Sequence, residues 1–146
     1  MHRRNFIKTS CTACMAAGSG WFLGSLLTSC GSTVSVFKTA AVNNRVNIPL
    51  SDFGESNFRL IRVNNYNYDI AVQKTGTGSY RALVMMCTHA GNPLTKTGSN
   101  FYCPLHGSQF DMAGRVQKGP AEKPLIHLNT QQDDKNLWIT LKPAVL

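Results

Sequence analysis

From Val34 onward the apolar residues of this chain come in short runs and not at helical spacing. Residues 34–37, 58–63, 68–73, 81–86 and 137–141 are each rich in β-branched and aromatic side chains, which fit a pleated, half-buried surface. Clusters of Asn, Gly, Ser and Asp separate them, as at 76–79 and 133–136, and these residues favour turns by tolerating positive φ or by bonding their own backbone. Outside the first thirty residues no window sustains an apolar period of about 3.6. Two further strands are expected at 100–102 and 109–111, with 112–115 as a hairpin turn into Val116. His127, in the apolar run 125–128, reads as an ordinary strand residue. The pattern predicts an all-β fold of antiparallel sheets, one domain with a modest core. No repeat or low-complexity tract interrupts it.

The first thirty residues read differently. Arg3 and Arg4 are followed by a polar residue and then Phe6-Ile7-Lys8, and a weakly apolar stretch runs to Ser29, diluted by Gly18, Gly20, Gly24 and several Ser and Thr. That dilution makes a poor membrane span but suits a signal segment. The segment resembles a twin-arginine export signal. It ends Leu27-Thr28-Ser29-Cys30-Gly31, which is similar to a bacterial lipobox, where the cysteine thiolate is alkylated by a diacylglyceryl group. The expected organisation is a signal over 1–29, a lipidated Cys30 with a short tether to 36, and one domain over 37–146. Cys11 and Cys14 form a C-x-x-C pair inside the signal, without the strand–helix context of a redox dithiol.

Charge then excludes one class of partner. All seven acidic residues lie after position 30, and from there on twelve Lys and Arg leave a net charge of +5. The charges are scattered singly, with no like-charge block and no basic–aromatic stripe, so nucleic-acid binding has no support. A mildly basic surface suits an acidic partner or an anionic lipid surface.

The candidate chemistry lies in two short boxes. The first is Cys87-Thr88-His89-Ala90-Gly91-Asn92-Pro93-Leu94, and the second is Cys103-Pro104-Leu105-His106-Gly107-Ser108-Gln109-Phe110-Asp111. Two thiolates and two imidazoles suit either one tetrahedral zinc or a [2Fe-2S] cluster. The glycines, Pro104 and Ser108 are superfluous to zinc, whereas a cluster needs backbone N–H groups packed against its sulfurs.

Together the boxes resemble the cluster-binding loops of Rieske iron–sulfur proteins, and the likeness extends over about residues 80–141. It implies a Rieske-like antiparallel β-sandwich with a small cluster-binding subdomain, and one [2Fe-2S] cluster per chain. By this resemblance Cys87 and Cys103 bind one iron and His89 and His106 the other. Gly107, Ser108, Phe110 and Pro120 would surround the cluster, Pro120 from a proline-containing loop (119–125) that covers it from a third side. Gly107 would permit close approach by lacking a β-carbon.

Two imidazoles in place of thiolates put less negative charge on one iron and raise the potential to about −150 to +300 mV. Departures from the family pattern refine this. The quinol-oxidising members carry an extra Cys in each loop, and these form a disulfide; here Asn92 and Leu105 occupy those positions. Those members also have a Ser and a Tyr whose hydroxyls hydrogen-bond to cluster sulfurs; here Ser108 is kept and Phe110 replaces the Tyr. Losing a donor to sulfur lowers the potential, so a mid-potential variant is expected. The function implied is a membrane-tethered electron carrier, exported and lipid-anchored to a bacterial membrane, between a redox donor and a redox acceptor protein. The alternatives are the Rieske subunit of a quinol-oxidising complex and a cluster-based redox sensor. The chain is too short to hold the large catalytic domain of a ring-hydroxylating oxygenase.

Overall fold

The computed structural model describes residues 36–76 and 78–142. Among the described residues eleven strands form: β1 (Val36–Thr39), β2 (Arg45–Pro49), β3 (Phe58–Val63), β4 (Ile70–Gly76), β5 (Ser79–Val84), β6 (Thr95–Thr97), β7 (Asn100–Tyr102), β8 (Gln109–Asp111), β9 (Val116–Lys118), β10 (His127–Gln132) and β11 (Asn136–Thr140), with one 3-10 turn at Leu50–Phe53. Among the described residues no helix is long and apolar enough to cross a membrane.

Seven strands make a sheet in the order β1-β3-β4-β5-β10-β11-β2, and four make a meander in the order β6-β7-β8-β9. The pairings are antiparallel with one exception: β1 lies parallel to β3, Val36 opposite Leu60. The expected antiparallel sheets are thus found, with this one edge pairing running parallel. A four-residue run of apolar and polar residues fits either direction of pairing, and the direction is set by where the chain goes next.

The all-β expectation holds, and the centre of the large sheet shows why its strands read as near-continuous apolar runs. Along β4 and β5, side chains alternate between faces. Ile70, Val72, Ala82 and Val84 enter one core with Val46, Ile48, Ile61, Leu137 and Ile139. Ala71, Leu83 and Met85 enter a second core with Leu94, Phe101, Phe110 and Leu125. A strand buried on both faces cannot show polar alternation. The second core joins the meander to the sheet, and Phe101 and Phe110, opposite one another on β7 and β8, are fully buried in it. Burial of such rings contributes about 1.5–3 kcal/mol each. Gln73, a polar residue on β4, is buried there too, and its Nε2 donates to the Met112 carbonyl.

Strand β8 turns into β9 through an aspartate. Asp111 Oδ1 accepts from the N–H groups of Ala113 and Arg115 at 2.9 and 2.8 Å, and Oδ2 accepts from Arg115 Nε at 2.7 Å. Burial would raise the Asp111 pKa, but the Arg115 N–H, its guanidinium and the Ala113 N–H together hold it below the ordinary carboxylate range. Asp111, at the end of β8, thus fixes the 112–115 turn that the sequence led us to expect. Gly114, in the same turn, has φ of 82°, and a β-carbon there would meet Leu83 and Leu125 side chains at 3.2 Å.

Candidate metal centre

Two loops with a common backbone frame carry the four expected donors. In the first, between β5 and β6, Cys87 N–H donates to the Asn92 carbonyl at 2.7 Å, and Gly91 N–H donates to the Cys87 carbonyl at 2.8 Å. In the second, between β7 and β8, Cys103 N–H donates to the Ser108 carbonyl at 2.9 Å, and Gly107 N–H donates to the Cys103 carbonyl at 3.0 Å. Each frame has a glycine in the left-handed region, with φ of 71° at Gly91 and 79° at Gly107, where a β-carbon is strained. Among the described residues, its two chain neighbours aside, none has an atom within 4 Å of where a β-carbon on Gly107 would lie. Its requirement for glycine therefore comes from φ, and not from crowding by neighbouring protein atoms. The histidine is third in the first frame and fourth in the second. The two imidazoles meet edge to face, with centroids 4.9 Å apart and planes at 85°.

The sulfurs sit behind them. Cys87 and Cys103 are fully buried in the second core, and neither is in a disulfide. Burial alone would push the Cys103 thiol up, but hydrogen bonds from the His106 and Leu105 N–H groups and with the Cys87 side chain outweigh it, and the pKa is lowered. A thiol drawn towards thiolate by backbone donors is a suitable ligand for iron. His89 and His106, in contrast, are exposed. Among the described residues no three His, Cys, Asp or Glu side chains converge on a single ion position. The donors fall into a sulfur pair and a nitrogen pair, an arrangement that suits two irons with two protein ligands each better than one zinc gathering all four.

A third segment closes over the loops. Ala121 N–H donates to Ser108 Oγ at 3.0 Å, and Thr88 Oγ1 donates to the Lys123 carbonyl at 2.5 Å. Residues 121 and 123 of the proline-containing loop therefore tie to one donor loop each. Ser108 is fully buried, and with its oxygen accepting from Ala121 its own proton remains to donate. Pro120 is exposed and, with Thr88, His89, Glu122 and Lys123, lines a cleft of about 460 Å³. Phe110, fully buried, offers no hydroxyl. Arg3, Arg4 and Cys30 lie outside the described residues. Sequence reasoning passed over Thr88 and the two backbone partners at 121 and 123. It also passed over Tyr68, whose hydroxyl donates to the Gly91 carbonyl at 2.6 Å.

The model of the Rieske [2Fe-2S] domain family matches residues 46–132, more than half of the chain. Residues of the chain are 37% identical over 73 positions to the cytochrome b6-f complex iron-sulfur subunit 2 of Trichormus variabilis, covering 49% of this chain and 41% of that protein. They are 43% identical over 56 positions to the ubiquinol-cytochrome c reductase iron-sulfur subunit of Rickettsia typhi, covering 36% of this chain and 32% of that one. The matched region thus spans less than half the length of these curated relatives. Among solved structures, the cyanobacterial plasma membrane Rieske protein PetC3 from Synechocystis PCC 6803 superposes with a TM-score of 0.53 at 26% identity, over 65% of this chain and 98% of that one. With the paired donors, the fold and the matching domain model in agreement, the chain belongs to the Rieske [2Fe-2S] domain family and takes that family's single cluster.

Proposed function

We propose that Cys87 and Cys103 hold one iron and His89 and His106 the other, in a membrane-tethered protein that passes single electrons between redox partners. The observation that carries this reading is the contrast in exposure: both sulfurs are 0% exposed, whereas both imidazoles face solvent. When bound, the cluster takes up and releases one electron. The apolar wall of Phe101, Phe110 and Leu94 excludes water from the sulfurs, and the N–H groups of Leu105 and His106 stabilise negative charge on Cys103. The exposed imidazoles bring a partner's surface close to the metal and give protons access to it. Leu105, 59% exposed beside His106, offers that partner an apolar contact, and exposed Lys118 and Lys123 favour an acidic one.

Residues 1–29 serve as the twin-arginine signal, read at Arg3 and Arg4. Cys30 carries the lipid, and 37–146 form the domain on the outer face of a bacterial membrane. What supports this is the sequence pattern, together with the plasma-membrane description of PetC3. A second reading, the Rieske subunit of a quinol-oxidising complex, is favoured by the cytochrome b6-f and ubiquinol-cytochrome c reductase relatives. Asn92, Leu105 and Phe110 at the positions of the family's disulfide and tyrosine weigh against it.

Iron and acid-labile sulfide analysis tests the ligand set. The full chain should carry two of each, as a [2Fe-2S] cluster requires, and Cys87→Ser or Cys103→Ser should lose both. Retention of the cluster by either variant would overturn the assignment. Cys30→Ser should move the protein from the membrane fraction to the soluble one, and unchanged partitioning would overturn the lipid tether.

A further inference from the structure

We infer that Tyr68 is a positioning residue for the first donor loop, a strut that does for this chain part of what a loop-to-loop crosslink would do. The inference rests on the ligand set proposed above. Cys87 and Cys103 are both free, and Asn92 and Leu105 cannot bridge covalently, so no covalent bond joins the loops.

The first loop therefore depends on non-covalent ties. Its inner frame uses Cys87 N–H, the Cys87 carbonyl, Gly91 N–H and the Asn92 carbonyl. That leaves the Gly91 carbonyl outside the frame, at the residue whose left-handed φ turns the chain. Tyr68, 23 residues earlier between β3 and β4, donates its hydroxyl to this carbonyl at 2.6 Å. A short, direct bond from the β3–β4 turn thus reaches the residue two positions after His89.

Apolar packing holds the ring, since Tyr68 and Met86 both pack against the first core, and the hydroxyl adds a directional tie to the loop. A cavity of about 380 Å³ lies between the β3–β4 turn and the exit of the loop, lined by Tyr66, Tyr68, Met85, Pro93 and Leu94 among others. The turn that presents Tyr68 is itself fixed: Arg62 pairs with Asp69 through two hydrogen bonds of 2.8 and 2.7 Å, and Met85 N–H donates to the Asp69 carbonyl at 2.9 Å. On the far side, Thr88 Oγ1 ties the loop to the Lys123 carbonyl. His89 lies between the two hydroxyl struts, and its edge-to-face setting against His106 depends on both.

Hydrogen exchange by mass spectrometry on the cluster-loaded full chain, with Tyr68→Phe and Tyr66→Phe, tests this. Tyr66 lines the same cavity, but its hydroxyl has no partner, so it is the matched control. Tyr68→Phe should speed exchange across residues 86–93 by about 3- to 10-fold, the factor expected for one lost hydrogen bond, while β4 and β11 are unchanged. Its reduced-state EPR lines should broaden as His89 gains freedom. Tyr66→Phe should do neither. Uniform acceleration over the whole domain, or no local change, would overturn the strut. If Tyr68→Phe alone does not fold, the Tyr66→Phe/Tyr68→Phe double variant is used, and failure of that variant as well would show a global and not a local role. An absent iron signal in the unmodified chain would instead overturn the ligand assignment, an outcome separable from the exchange pattern.

Discussion

Ser108 and Ala121 are joined by a 3.0 Å hydrogen bond in which the Ala121 N–H donates to the Ser108 hydroxyl oxygen. The bond links the second donor loop to the proline-containing loop and is fully buried at Ser108. It also fixes the rotamer of a hydroxyl whose proton is left to donate, beside Cys103 in the loop frame. Ser108→Ala should thus do two things. Orphaning a buried N–H costs about 1–3 kcal/mol, visible as a lower melting temperature. Removing a donor near the sulfurs lowers the reduction potential. A redox titration showing no shift would mean that the hydroxyl proton points elsewhere.

Phe110 makes the converse prediction. It is fully buried opposite Phe101, in the core that holds both cysteines, and has no donor. Phe110→Tyr adds a hydroxyl there and should raise the potential, whereas the unmodified chain should titrate below the top of the family range of about −150 to +300 mV. A potential at the top of that range without the substitution would contradict the mid-potential reading.

Acid should loosen the β8–β9 hairpin through Asp111. Its pKa is depressed in the folded state, since the N–H groups and guanidinium around it favour the carboxylate more than burial opposes it. Such a group adds stability above its unfolded pKa of about 3.9, and that stability is lost as pH falls through the lower, folded value. Melting temperatures measured from pH 5 downward should fall in the unmodified chain, and Asp111→Asn should be less stable at neutral pH with a shallower acid loss. Parallel curves for the two proteins would remove Asp111 from the explanation.

Tyr66→Phe should be neutral or stabilising, by up to about 1 kcal/mol, because the hydroxyl is buried without a partner and an unpaired buried polar group is a cost. Burial also raises the Tyr66 pKa. A clear fall in melting temperature would reveal a partner for that hydroxyl.

Much of this architecture is legible in the sequence where the residues concerned carry their own signal. β3, β7 and β8 fall where their apolar and aromatic residues led us to expect strands, with Asn64 following β3 and Asp111 closing β8. β2 has only Val46 and Ile48 as inward residues, separated by Asn47 and closed by Pro49, too short an alternation to stand out. β10 is mostly polar, His127–Gln132, and exists because β5 and β11 flank it. The direction of β1 depends on its partner, not on its own residues. At the metal centre the Cys and His boxes declare themselves, since metal ligation needs those side chains. Tyr68 reads as the start of an ordinary strand, and the groups that Thr88 and Ser108 engage are backbone atoms of residues 123 and 121. Backbone partners leave no signature in composition, so the ties between loops appear only in three dimensions.

The most direct test of the ligand set is electron paramagnetic resonance of the chemically reduced, anaerobically purified full chain. Two imidazoles on one iron and two thiolates on the other predict a rhombic spectrum with a low average g value, present in the unmodified chain and lost in His89→Ala and His106→Ala. A colourless, zinc-loaded protein with no signal, or a spectrum of the all-thiolate ferredoxin kind, would contradict the assignment of Cys87, His89, Cys103 and His106.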